Sequence, residues 1–199
     1  MEVIKSGSAG ALSPLEQSFP VDCIVAGDSV LKVPAHATAY GYVITGTLIS
    51  QGVEHQEGEY FTSPALSTLQ VVTGTSVIFL RHGFRGQRCF GGVVEGHGRA
   101  QEAHQRIHTT NLVVRHTPND PGFASKHLSR SAKVDVETGP VPHFCVLVEG
   151  SMKITAPQVG QTLQQGDVFV LDAWETYKIQ SGDKPAVYLS FEAIVRSEI

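Results

Sequence analysis

Cysteine is scarce in this chain. The three present, Cys23, Cys89 and Cys145, are odd in number and too widely spaced for a Cys-x-x-Cys zinc motif, so neither a disulfide framework nor a thiolate metal centre is indicated. Basic charge is not in excess either. Lys and Arg total 15 against 19 Asp and Glu, a formal net charge of -4, which argues against broad attachment to nucleic acid or an anionic membrane. No apolar run approaches the roughly 20 residues of a membrane span. The opening MEVIKSGSAGALSPLEQ has no basic segment followed by an apolar core, so no secretory leader is expected and the cytoplasm is the expected compartment. Gly-x-Ser-x-Gly, Gly-x-Gly-x-x-Gly and P-loop motifs are all missing, which leaves acyl-transfer hydrolase, dinucleotide and nucleoside-triphosphate readings without support.

A β pattern is what remains. Hydrophobic residues make up 41% and charged ones 17%, with 20 glycines and 10 prolines, a composition suited to a core-forming protein with many turns. The stretch from His143 to Gly182 organises the chain. It contains an apolar strand ending in Val-Glu-Gly, a hairpin, then Gly-Asp and a second apolar strand, and the glycines mark positions where strands turn. The segment from Val21 to Leu80 repeats it. Ile44-Thr45-Gly46-Thr47 matches Val148-Glu149-Gly150-Ser151, Gly58-Glu59 matches Gly166-Asp167, and Gly58 and Gly74 are spaced as Gly166 and Gly182 are. Residues 1–20 read as an arm or an early edge strand. Arg81 to Thr110, rich in Gly, Arg and His, reads as the linker, with a short helical turn expected over Arg99 to Ile107. Two units are therefore expected, residues 1–95 and 96–199, the first structural and the second carrying a ligand pocket.

Leu147-Val148-Glu149-Gly150 followed by Gly166-Asp167-Val168-Phe169 resembles the core of the cupin superfamily. The resemblance implies an all-β fold of tandem double-stranded β-helix (jelly-roll) barrels, a bicupin. It also implies where a metal would be held, by a His-x-His pair, a Glu and a later His. In the second half those slots fall near Glu137, Thr138 and Gly139, at His143 and at Tyr177; in the first half they include Ala39 and Leu69. The ligand set is not preserved, so no metal and no other cofactor is expected.

Residues two apart on a strand share a face, so His143, Cys145 and Leu147 are expected to point into the second barrel, opposite Tyr177. The first-half counterparts Ala39, Gly41, Val43 and Leu69 are apolar and are expected to close that barrel. His143 is the expected acid/base and Tyr177 its proton partner. Cys145, Glu137, His127, Lys126 and Trp174 are the expected ligand-binding residues, with the basic ones favouring an anionic metabolite. Three readings stay open: a metal-independent isomerase or lyase, a non-catalytic ligand-binding or regulatory protein, and a metal-dependent cupin, of dioxygenase type, in which His127 or Glu137 joins His143. A purely structural alternative has His143 and Tyr177 hydrogen-bond each other or the backbone and packs Cys145 as a small hydrophobe. A pair at His104 and His108 and a basic cluster at Arg81, His82, Arg85 and Arg88 read as solvated linker. The expected partners are a small-molecule ligand and a second copy of the chain in a homodimer, with no nucleic acid and no membrane.

Overall fold

The structure is a computed structural model that describes residues 1, 3–6, 8, 10–12, 21–82, 104–109, 111–117, 120–157 and 159–192. Every regular element among the described residues is a β-strand, and all pairings are antiparallel. No helix there is long and apolar enough to cross a membrane.

The N-terminal half comprises β1 (Val3–Ile4), β2 (Gly10–Leu12), β3 (Val21–Ala26), β4 (Ser29–Lys32), β5 (Ala37–Ser50), β6 (Val53–Gln56), β7 (Tyr60–Ser63) and β8 (Thr68–His82). β5 and β8 are long because each runs through a bend in one seven-stranded sheet and changes partners there. Their register shifts between Val43 and Thr45 and again between Thr47 and Leu48. The bend is made by the cross-strand pair Gly46 and Gly74, at φ 81° and 82°. A Cβ on Gly46 would stand 2.1 Å from the Thr73 carbonyl oxygen and one on Gly74 2.2 Å from that of Thr45, so only glycine passes both the torsional and the steric test. Before the bend β5 lies between β7 and β8, and β8 reaches β3; beyond it β5 pairs with β6, and β8 with β4.

The C-terminal half runs β9 (His104–Thr109), β10 (Leu112–Thr117), β11 (Asp120–Leu128), β12 (Lys133–Glu137), β13 (His143–Glu149), β14 (Ser151–Thr155), β15 (Gly160–Gln164), β16 (Val168–Leu171), β17 (Thr176–Ser181) and β18 (Ala186–Glu192). One sheet has the order β1-β16-β13-β18-β11-β10-β9 and the other β12-β17-β14-β15. The strand order β16-β13-β18-β11 and β12-β17-β14-β15 restates β7-β5-β8-β3 and β4-β8-β5-β6 of the first half. Gly150, at φ 77°, divides β13 from β14 where Gly46 bends β5. Residues 104–109 form a strand paired with β10, not the helical turn expected up to Ile107. The remainder of the expected linker, and with it the 95/96 boundary, Arg85 and Arg88, lies outside the described residues.

Three cores follow from this layering. Ala39, Val43, Phe61, Leu69 and Ile78 fill the first half; Cys145, Leu147, Phe169, Leu171, Tyr177 and Tyr188 fill the second. A third core, with Tyr40, Phe79, Phe144, Val146, Val168 and Phe191, joins the halves, and there Phe79 and Phe191 stack at 5.3 Å. β13 is consequently buried on both faces, which is why Phe144 to Leu147 reads as an unbroken apolar run. The N-terminal arm does supply an edge strand, but to the C-terminal half: β1 pairs with β16. Asp167 of the Gly-Asp motif fixes it there, accepting from the Ser6 N–H (2.8 Å), the Lys5 ammonium (2.8 Å) and the Gln164 N–H (2.9 Å).

Candidate functional site

Strand alternation brings one polar group of residues into the C-terminal core. On β13 Cys145 and Leu147 face inward, so His143 does too, while Phe144 and Val146 face the first half. On β11 Ala124 and Leu128 are core residues, which turns Lys126 inward. On β18 Ala186 and Tyr188 face the same interior, and Ser190 and Glu192 continue that face. The register places Glu192 opposite His143, Ser190 opposite Cys145, and Tyr188 opposite both Leu147 and Lys126.

Lys126, His143 and Glu192 converge. The Lys126 Nζ lies 3.4 Å from His143 Nδ1 and 3.7 Å from Glu192 Oε1, and 5.9 Å above the Tyr188 ring centroid. His143 Nε2 lies 3.5 Å from the same Glu192 oxygen. An ammonium only donates, so Nδ1 is the acceptor and the ring proton sits on Nε2, facing Glu192. Burial, reinforced by the Lys126 charge, pulls His143 down from 6.5 to about 3; the ring is neutral and its contact with Glu192 is not an ion pair. The side chains of Lys126 and His143 are 9% and 7% exposed and that of Glu192 24%, so the group meets solvent at Glu192.

Two hydroxyls are buried in this interior, Tyr188 Oη without a hydrogen-bond partner and Ser190 Oγ with only the Cys145 thiol beside it. Such groups are costly to leave unsatisfied. Cys145 is fully buried and directs its thiol at the His143 carbonyl, at 3.7 Å. Burial pushes it up to about 12, with Lys126 pulling the other way, which keeps it a thiol and no nucleophile.

Several expected residues stand elsewhere. Tyr177 is inside the barrel, but its hydroxyl accepts from the Asp172 N–H (2.8 Å) and donates to Asp172 Oδ2 (3.3 Å). Burial pushes it up to about 12; the Asp172 backbone N–H works against this and the Asp172 carboxylate adds to it. Tyr177 is thus partnered by Asp172, and the partners of His143 are Lys126 and Glu192. His127 projects from the opposite face of β11 to Lys126, with Nε2 3.0 Å from Ser125 Oγ, because adjacent strand residues alternate. Glu137 is exposed at the end of β12. Trp174 is 77% exposed in the turn before β17, at φ 60°. The residues that sequence reasoning missed are Tyr188, Ser190 and Glu192. Their signal was period-two polarity along β18, which by itself reads as a solvent face.

In the first half the interior slots are closed. Ala39, Val43 and Leu69 are fully buried, and the ring of Phe61 lies over Gly41. Polar residues occur there too: Ser50 and Ser63 hydrogen-bond each other, and His55 packs its ring 5.2 Å from that of Phe61.

A metal of the sort the resemblance implies does not fit these donors. Among the described residues no group of three or more His, Cys, Asp and Glu side chains could hold a metal ion. Thr138, in the expected slots, donates to the Asp172 carbonyl (2.6 Å) and accepts from the Glu175 N–H (2.8 Å). The position beside His143 is taken by an ammonium.

Sheet order and interior site together define a cupin-fold protein. Solved structures similar to it include protein YlbA from E. coli, at 17% identity over 96% of this chain and 84% of that one, with a TM-score of 0.64. A cupin 2 conserved barrel domain protein from Leptotrichia buccalis matches at 12% identity over 96% and 91%, TM-score 0.58. Salicylate 1,2-dioxygenase from Pseudaminobacter salicylatoxidans matches at 12% identity over 93% and 76%, TM-score 0.68. No protein-family model and no curated protein sequence matches the chain.

Proposed function

We propose that the C-terminal barrel binds a small anionic metabolite and acts on it by metal-independent proton transfer, as an isomerase or lyase. The observation that carries this is a buried ammonium held by His143 and Glu192 in a core that also contains the unpartnered hydroxyl of Tyr188 and the Ser190 hydroxyl beside the Cys145 thiol. An ammonium and two hydroxyl donors suit the oxygens of a carboxylate or similar anion. His143, held neutral, bridges and orients; Glu192, the group nearest solvent, accepts the proton. Removing a proton from carbon beside the carboxylate forms an enolate that Lys126 stabilises. Where a double bond adjoins the deprotonated carbon, it shifts and returning the proton to its far end completes an isomerisation; where the neighbouring carbon carries a leaving group, the electron pair expels it and forms the double bond of a lyase product, with no oxidant needed. One structurally similar protein is named for a small carboxylate, salicylate, which accords with the ligand class.

The same reading assigns residues 1–95 to a structural barrel, 96–199 to the ligand-binding one, and two chains to the working assembly. Its test is a thermal-shift screen with salicylate, malonate, acetate and inorganic phosphate, followed by NMR in D2O for exchange of carbon-bound protons on any stabilising compound. Stabilisation that Lys126→Met removes is expected. Binding without exchange would favour the non-catalytic reading, and stabilisation untouched by Lys126→Met would refute the site.

A further inference from the structure

We infer that the Lys126 ammonium is the resident cation of the C-terminal barrel, supplying the fixed positive charge that a divalent metal supplies in metal-holding barrels of this shape. The inference deepens the ligand-site reading above and rests on it for what the charge is used for. Three observations carry it. First, Nζ has an imidazole nitrogen at 3.4 Å and a carboxylate oxygen at 3.7 Å, and these two groups also touch each other, at 3.5 Å. Imidazole and carboxylate are the donor types that first-row metals take. Second, the ammonium is buried on the barrel side of β11 and lies 5.9 Å above the Tyr188 ring, so protein groups in place of bulk water surround it. Third, the other slots in which a metal ligand is expected are committed: Tyr177 to Asp172, and Thr138 to Asp172 and Glu175.

Charge decides the exclusion. A divalent ion beside His143 and Glu192 would meet a like charge within a few ångström in a weakly screened interior, so lysine both fills the place and repels a metal from it. Lysine also fixes the kind of help a substrate receives. A point charge with three protons donates to a developing oxyanion but offers no coordination site for dioxygen or for a metal-bound water.

The test is metal titration, which needs no substrate. Wild-type protein from cells grown with Mn, Fe, Ni and Zn, desalted without chelator, is expected to carry well under one metal ion per chain by elemental analysis. Removing the ammonium in Lys126→Ala leaves the imidazole and carboxylate facing each other without a cation. Calorimetric titration with Zn2+ and Mn2+ should then show at least about tenfold tighter binding of one of them than wild type. Lys126→Gln, which is one atom shorter but keeps most of the stem, should show the same gain, and serves if the alanine variant does not fold. A wild-type protein holding one equivalent of metal, or wild type and folded variants with the same metal affinity, would overturn the inference. The two readings fail separately. Anions that bind nowhere would defeat the ligand reading and leave the metal result standing, whereas a metal in the wild-type barrel would defeat the resident-lysine reading and the metal-independent chemistry but leave anion binding standing.

Discussion

Phe61 lies where a side chain on Gly41 would have to be: a Cβ there would stand 2.1 Å from the ring's Cζ. The two are cross-strand partners of β5 and β7. The matching pair in the second half is Cys145 and Phe169, where a thiol takes the slot and the Phe169 ring meets Tyr188 at 5.9 Å. The ring of Phe61 thus fills the space that the Cys145 side chain takes in the second half. Gly41→Ala should lower unfolding free energy by about 1–3 kcal/mol through overpacking, read as a reduced urea midpoint. An unchanged midpoint would show that Phe61 moves aside freely.

Lys126 and Glu192 form a pair that is buried at one end only. Lys126→Met should cost about 1–3 kcal/mol, less than a fully buried pair would, because Glu192 is 24% exposed and regains water. Adding Glu192→Gln should recover part of that loss. A double-mutant cycle in urea measures the coupling, and strict additivity would show that the 3.7 Å contact has no energetic weight.

His143 gives stability a pH dependence of definite sign. Its folded value is about 3 against 6.5 unfolded, so above pH 6.5 the ring is neutral in both states and costs nothing. Between pH 6.5 and 3 the unfolded chain takes up the proton first, and stability falls with pH by an amount on the order of a few kcal/mol. His143→Gln should flatten that limb of the stability–pH curve. An identical acid limb in the variant would place the loss on other groups.

Trp174 holds φ 60° with its side chain in solvent, a conformation that costs an L-residue roughly 1–2 kcal/mol. Leu66 holds φ 65° and is likewise exposed, at the matching turn between β7 and β8. Trp174→Gly should therefore stabilise the protein by about 1 kcal/mol, followed by far-ultraviolet circular dichroism since Trp174 is the single tryptophan. If the same variant weakens anion binding, the strained indole is kept for the ligand, as the sequence suggested.

The proposed dimer predicts a light-scattering mass about twice the 21.4 kDa of the chain at micromolar concentration. A mass of one chain would remove a second copy from the list of partners.

Much of the fold was legible because it is written in local chemistry. Gly46 and Gly150 mark the strand bends, and Gly166-Asp167 marks the turn into β16; positive φ at each glycine is a property a sequence announces. His143, Cys145 and Lys126 were legible as inward residues because alternation is also local. Their partners were not. Tyr188, Ser190 and Glu192 alternate with Leu189 and Phe191, a pattern that by itself puts the polar residues in water; only the packing of the first half against the outer face of β18 turns that face into the barrel interior. For the same reason Tyr177 could be placed in the barrel but not paired, since its bond to Asp172 depends on a turn whose path the chain sets in three dimensions. His127 was misplaced by grouping it with Lys126, although a pleated strand sends neighbours to opposite faces. The sequence alone determined an all-β chain with two glycine-marked repeats and no preserved metal-ligand set. Tertiary structure decided which polar side chains share the interior, because each face of the central sheet is buried by a different partner and that choice lies outside any single strand.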